Sequence, residues 1–213
     1  MIRIEVNLVR KFVWLHMALF ALASTAKADV PDVVQVSGLN YHGPGCPSGT
    51  ARAVISPDRQ SFTVIFDRFT AGSTSGSASG RATSSCSLIA DLSYPDGWQL
   101  TIATVDFRGF AAVDTEAWAK VTARFRFRGA GFQRPAQLTI IGPWVSDFLL
   151  HEERGSGREW SPCHRSSSRD LFVDASLQTH AQGSRYAYLS MDSIDGQARS
   201  LRHTYYVQWR RCV

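Results

Sequence analysis

Between Glu116 and Arg128 apolar and polar residues alternate without a break. Ala117, Ala119, Val121, Ala123, Phe125 and Phe127 fall on one side of an extended chain, and Lys120, Thr122, Arg124, Arg126 and Arg128 fall on the other. Similar patterning predicts strands at Gly49–Ser56, Ser61–Thr70, Ser87–Ser93, Leu100–Phe107, Gln137–Ile141, Leu171–Thr179, Tyr186–Met191 and Thr204–Arg211. Turn-forming residues separate them: Ser56-Pro57-Asp58, Tyr94-Pro95-Asp96-Gly97, Gly142-Pro143 and Asp195-Gly196. No stretch keeps helical spacing between two caps. The pattern predicts an all-β fold, a single β-sandwich (jelly-roll-like) whose two inner faces absorb these half-apolar strands. Two stretches read as loops within that domain: the Gly/Ser-rich run 71–85, too poor in apolar side chains to order itself, and the polar run Arg154–Arg169.

The N-terminus breaks the pattern. Arg3, Arg10 and Lys11 precede an apolar run from Phe12 to Ala23, and Ala26-Lys27-Ala28 offers the small-x-small pattern a signal peptidase requires. The run is too short to cross a bilayer, which takes about 20 helical residues. Residues 1–28 are therefore expected to be a cleaved signal peptide and residues 29–213 the exported domain, with no transmembrane segment after cleavage. Cleavage also changes the charge. Four of the 23 basic residues and one of the 18 acidic residues leave, so the formal net charge falls from +5 to +2. That weakens the case for nucleic acid, whose affinity depends on many phosphate contacts.

Cys46, Cys86, Cys163 and Cys212 are an even set in an exported chain, which implies disulfides. Four cysteines permit three pairings. The expected one is Cys46–Cys86 with Cys163–Cys212, one closed loop in each half, each worth about 4 kcal/mol on the chain-entropy estimate. A zinc site is disfavoured because the chain has no C-x-x-C pair and no close Cys/His cluster.

Several landmarks together resemble the secreted proteins grouped as domain of unknown function 4360, found in bacteria and fungi. They are Gly43-Pro44-Gly45-Cys46-Pro47-Ser48-Gly49-Thr50, the run Val54 to Ala71, the Ser/Gly-rich loop before Cys86-Ser87-Leu88, and Val105-Asp106-Phe107-Arg108-Gly109-Phe110. Trp160-Ser161-Pro162-Cys163, Met191-Asp192-Ser193-Ile194-Asp195-Gly196 and Gln208-Trp209-Arg210-Arg211-Cys212 continue the match in order. The resemblance implies a secreted, four-cysteine, β-rich domain and brings no catalytic residue with it.

Candidate chemistry is sparse. Gly76-Ser77-Ala78-Ser79-Gly80 places Ala where a nucleophile elbow needs Ser, and oxidised cysteines offer no thiolate. Asp106, Asp114, Asp147, Glu152, Glu153, Asp192 and Asp195 could supply the paired carboxylates of a glycoside hydrolase, but the sequence does not say which of them meet. Asp192 and Asp195 read as turn formers ahead of Gly196, and they lack the further oxygen ligands of a calcium loop. His42, His151, His164, His180 and His203 are scattered, and His151-Glu152-Glu153 is not a zinc-protease motif. No cofactor and no metal is called for.

The sharpest feature is a row of cations. Residues two apart on a strand lie about 7 Å apart on one face, so Arg124, Arg126 and Arg128 form a line, extended by Lys120 and Trp118. Guanidinium groups bind carboxylate, sulfate or phosphate bidentately and stack on flat faces. Trp144 and Trp160 lie near loops, where a ring can stack on a sugar, whereas Trp209 reads as core. The expected function is a non-catalytic extracellular binding module for glycans or another surface polymer, its ligand-binding residues Trp118, Lys120, Arg124, Arg126 and Arg128. The alternatives are a two-carboxylate hydrolase and a structural or protein-interaction factor of the cell envelope. The sequence expects a secreted protein, periplasmic or extracellular.

Overall fold

The computed structural model describes residues 29–73, 80–155, 159–163, 169–190 and 202–212. The expected signal peptide, the tip of the Gly/Ser-rich run, His164, Asp192 and Asp195 lie outside the described residues. The described chain is all-β, with twelve strands: β1 (Gln35–His42), β2 (Ala51–Ile55), β3 (Ser61–Phe66), β4 (Thr70–Ser73), β5 (Arg81–Ser93), β6 (Trp98–Val113), β7 (Trp118–Phe127), β8 (Ala136–Ile141), β9 (Trp144–Glu153), β10 (Arg169–His180), β11 (Ala187–Ser190) and β12 (Arg202–Arg211). They form two antiparallel sheets packed face to face. The five-stranded sheet runs β1-β5-β10-β7-β8; the other runs β2-β3-β12-β6-β11-β4, with β9 also paired to β6.

Period-two patterning builds the core. Ala119, Val121, Ala123, Phe125 and Phe127 of β7 are buried, as are Leu171, Val173, Ala175 and Leu177 of β10 beside them. The facing sheet contributes Phe62, Val64 and Phe66 of β3, Val105 and Phe107 of β6, and Tyr205 of β12. Phe125 and Tyr205 meet edge to face at 6.1 Å across the two sheets, and Phe62 stacks on Tyr205 at 4.6 Å. Such pairs add about 0.5–1.5 kcal/mol beyond the area they bury. Trp209 packs edge-on against Tyr94 and Trp98 at 5.0 and 6.4 Å, at the edge of this core.

The Gly/Ser-rich run is narrower than the sequence suggests. Residues 71–73 extend β4, which pairs with β11, and residues 81–85 are the first part of β5, held along their length by β10. Serine and threonine there trade a solvated backbone for a full ladder, which composition alone does not reveal. Strand β9 was also unexpected. Its exposed face carries Val145 and Leu149 in place of the polar residues that make alternation visible. Strand β6 runs on to Val113 because β9 and β11 cover its two edges there. In the Arg154–Arg169 run, the Arg154 and Ser161 amides donate to the Ala103 and Leu100 carbonyls. Gly97 takes φ +80° in the Pro95-Asp96-Gly97 turn. At Gly142 any Cβ would collide with the Asp114 carbonyl oxygen.

Cys46 is bonded to Cys86, both fully buried, with Cα atoms 5.5 Å apart; this ties the segment before β2 to β5. Cys163 is bonded to Cys212, with Cα atoms 5.8 Å apart, and fastens the Arg154–Cys163 segment to the end of β12.

Among the described residues, the core holds an imidazole with no partner on either nitrogen. His203 is fully buried among the rings of Phe107, Phe66 and Phe69, at 4.3, 5.2 and 6.5 Å, and neither ring nitrogen has a hydrogen bond. Burial pushes its pKa down to about 3. Above about pH 6.5 the imidazole is neutral in both folded and unfolded chains. As pH falls from there towards 3, the unfolded chain takes up a proton that the folded chain refuses, so stability is lost across that window at about 1.4 kcal/mol per unit. A His203→Phe variant is expected to keep more of its stability than the parent near pH 4, as urea midpoints measured across pH would read. A constant gap between the two proteins at every pH would contradict this account.

Candidate functional site

The outer face of the five-stranded sheet collects the residues that the sequence singled out. Trp118, Lys120, Thr122, Arg124, Arg126 and Arg128 point outward from β7 and its continuation, while β7's alternate residues fill the core. The register with β10 sets a partner beside each: His180 opposite Trp118, Gln178 opposite Lys120, Ser176 opposite Thr122, Asp174 opposite Arg124 and Phe172 opposite Arg126. On the other side, Ile141 and Thr139 of β8 lie opposite Trp118 and Lys120.

The cations are not equivalent. Arg128 is bonded through Nε and a terminal nitrogen to Oδ2 of Asp170, a buried carboxylate. Arg124 lies 3.8 Å from Asp174. Arg126 has no carboxylate within ion-pairing distance among the described residues. Its guanidinium carbon instead sits 4.0 Å from the centre of the Phe172 ring and 5.2 Å from that of Phe132. Phe132 is also 5.0 Å from Arg124 and half-exposed. Cation–π contacts at exposed sites are worth about 0.5–1 kcal/mol each and leave the guanidinium N–H donors available. Lys120 likewise lacks an ion pair among the described residues.

At the other end of the row a shallow depression of about 450 Å³ opens between Trp118, Lys120, Gln178, Thr139, Ile141 and Glu116. Trp118 tilts against His180 at 5.7 Å, and Ile141 is largely exposed. The depression thus offers a flat aromatic surface, an unpaired ammonium, an amide and a hydroxyl in one place.

The other sequence candidates are dispersed. Trp144 is partly exposed at the start of β9, its Nε1 donating to the Ser146 carbonyl at 3.1 Å. The Trp160 ring is covered by the Arg210 guanidinium at 4.0 Å. Asp114 accepts from the Tyr186 amide, and Glu152 is held by Arg134 and Arg154. Asp106 and His151, 45 positions apart in the chain, meet on the seven-stranded sheet at 2.6 Å. Nothing in the sequence links these two, since strand register is not visible in it. Nor did it bring in Phe172, Phe132, Asp170 and Asp174. The alternation of Asp170, Phe172, Asp174, Ser176, Gln178 and His180 was the available signal for the residues on β10.

The family model described as "Domain of unknown function (DUF4360)" matches residues 32–212, all of the chain that builds both sheets and both disulfides. The chain belongs to this family. It is 31% identical over 184 residues to an "Uncharacterized secreted protein" of Arthroderma benhamiae (strain ATCC MYA-4681 / CBS 112371), covering 86% of this chain and 74% of that one. Among solved structures, this DUF4360 protein overlaps a TmCBM61 structure in complex with beta-1,4-galactotriose at 9% identity, 84% of this chain, 91% of that one and a TM-score of 0.28. It overlaps a family 11 carbohydrate-binding module from Clostridium thermocellum at 10% identity, 81% of this chain, 90% of that one and a TM-score of 0.22. Overlaps at that level carry no argument about ligand. The protein is secreted, in agreement with its secreted fungal relative and its two disulfides.

The two ion pairs differ in burial, so their removal should differ in cost. Asp170→Ala is expected to destabilise by about 1 kcal/mol and Asp174→Ala by a few tenths, since exposed pairs contribute little. Chemical denaturation at low and high salt checks this; equal costs would contradict the assignment.

Proposed function

We propose that this DUF4360 protein is an extracellular, non-catalytic binding module that holds an acidic glycan, or a surface polymer of like charge, along the outer face of its five-stranded sheet. One observation carries the reading: a single open strand face presents Trp118, Lys120 and Arg126 in line, with a depression at the Trp118 end. The ring suits the flat face of a sugar, and the unpaired cations suit carboxylate or sulfate groups spaced along a polymer. Arg124 and Arg128, already tied to Asp174 and Asp170, act mainly to hold the face in shape.

The test is binding of the purified secreted protein to alginate, polygalacturonate and heparin, with laminarin and amylose as neutral controls, read by tryptophan fluorescence and pull-down. Binding should saturate, weaken with salt and release no sugar. Lys120→Ser and Arg126→Ser should each weaken it by about three- to tenfold, a loss of up to roughly 1.4 kcal/mol. Arg124→Ser and Arg128→Ser should cost less. Asp174→Ala, which frees a guanidinium, should tighten binding. Silence towards all three acidic polymers, or equal losses from all four cation variants, would overturn the proposal.

A second reading has one observation in its favour. Ile141, Val145 and Leu149 are largely exposed, and Trp144 is exposed beside them in sequence. Exposed apolar side chains of this size mark protein-contact surfaces, which suits an interaction factor of the envelope.

A further inference from the structure

On the opposite side of the molecule, the outer face of the seven-stranded sheet carries a row of polar side chains that the first site does not use. Strand register places Val54, Thr63, Thr204, Asp106 and His151 side by side across β2, β3, β12, β6 and β9. Thr63 and Thr204 share a hydrogen bond of 3.2 Å between their hydroxyls. One oxygen of Asp106 lies 2.6 Å from Nδ1 of His151, and the other accepts from the Tyr206 hydroxyl at 3.3 Å. Arg108, two residues along β6 from Asp106, points the same way and has no ion pair among the described residues.

All of these groups except His151 line a depression of about 350 Å³. Thr63, Thr204, Asp106, Arg108 and Tyr206 line its polar side, and Val54 with the neighbouring Ile55 and Pro57 lines an apolar wall. Asp106 is only 7% exposed, so its carboxylate lies at the bottom. A structural staple between β6 and β9 does not account for this arrangement. The backbone ladder already joins those strands over ten residue pairs, and a staple needs neither an open depression nor a hydroxyl row beside it.

We propose that this depression is a second binding site and that it takes a neutral sugar ring. The charges select the ligand class. A carboxylate at the floor repels anions, Arg108 at the rim repels cations, and the two together suit a ligand that donates to one and accepts from the other. A pyranose with adjacent hydroxyls does both. Each Asp106 oxygen keeps a lone pair after its bond to His151 or Tyr206, and those two partners fix the carboxylate from both sides, which lowers the cost of ordering it on binding. The apolar wall meets the C–H face of the ring. Sheets in a sandwich pack about 10 Å apart, with their outer faces pointing away from each other. Two occupied sites therefore bridge two polymer chains and do not grip one twice. The bridging rests on the acidic-polymer reading of the first face; the sugar site does not.

The test is an amide chemical-shift titration of the full secreted protein with methyl α-D-mannopyranoside, methyl β-D-galactopyranoside and methyl β-D-glucopyranoside, and separately with alginate oligomers. At least one glycoside should move the amides of Thr63, Asp106, Arg108 and Thr204, with the millimolar dissociation constant of an open single-ring site, and leave those of Trp118 and Lys120 in place. Thr204→Val and Arg108→Gln should each weaken that binding about tenfold, with the rest of the spectrum unchanged as the check on folding. The inference is overturned if no glycoside moves these amides, if neither variant weakens binding, or if alginate competes for the same amides. Glycoside binding here with no alginate response at Trp118 and Lys120 would leave the second site standing and remove the first.

Discussion

The edge-to-face contact of Phe125 with Tyr205 joins the two sheets, and the placement of both outer faces follows from it. Phe125 can reach Tyr205 only if β7 turns its odd-numbered residues inward. A slip of one residue would carry Arg124 and Arg126 into the core and Phe125 out to water. Burying an unpaired guanidinium costs several kcal/mol after relaxation, more than any outer-face contact could return. The row of cations is thus a by-product of core register, held in place by an interior it does not touch. On the opposite sheet the same logic applies to β6, where burying Val105 and Phe107 sends Asp106 and Arg108 outward.

The interior accepts polar groups at a cost. His203 lacks partners on both nitrogens, the Tyr205 hydroxyl is unsatisfied, and burial pushes that phenol well above its ordinary range. Arg154 is nearly buried with two nitrogens unpartnered; burial pushes its pKa down while Glu152 at 3.5 Å holds it up. Its guanidinium sits 4.7 Å from the centre of the Phe125 ring, so the residue that joins the sheets also supports a cation at the edge of the core. Each group would be better solvated outside. Together they make the core less stable, at low pH above all, than an apolar one of equal volume. The two disulfides work against that deficit through the unfolded chain, because they restrict it without asking the core to change.

How much of this was legible depended on whether the signal was local. β7 and β10 alternate cleanly, so their existence, inner face and outer face could all be read. β1, β4 and β9 could not. β4 is a four-residue strand in a Gly/Ser-rich run and is ordered by its ladder to β11; β9 wears apolar residues on its open face, which blurs the alternation. The candidate face divides in the same way. Its cations were visible because they lie on one strand. Their neutralisation by Asp170 and Asp174 was not, because those residues come from a strand more than forty positions away whose register only the fold supplies. The meeting of Asp106 with His151 was hidden for the same reason.

Charge compensation, more than charge itself, decides what each face can hold. A tally of cations along β7 and its continuation would rank Arg128 with Arg126, yet Arg128 is bound to a buried carboxylate while Arg126 lies against two rings. The rings do for Arg126 what Asp170 does for Arg128, fixing the side chain and lowering its entropy cost on binding, but without using up its charge. On the other sheet the compensation runs the opposite way. Asp106 is bonded to His151 and Tyr206 and shares its depression with Arg108, so donors and acceptors lie there side by side. On the binding proposed above, a polymer drawn by charge goes to the side of the sandwich that carries Lys120 and Arg126, and the short-range hydrogen bonds of the other side are left for a ligand that charge does not bring.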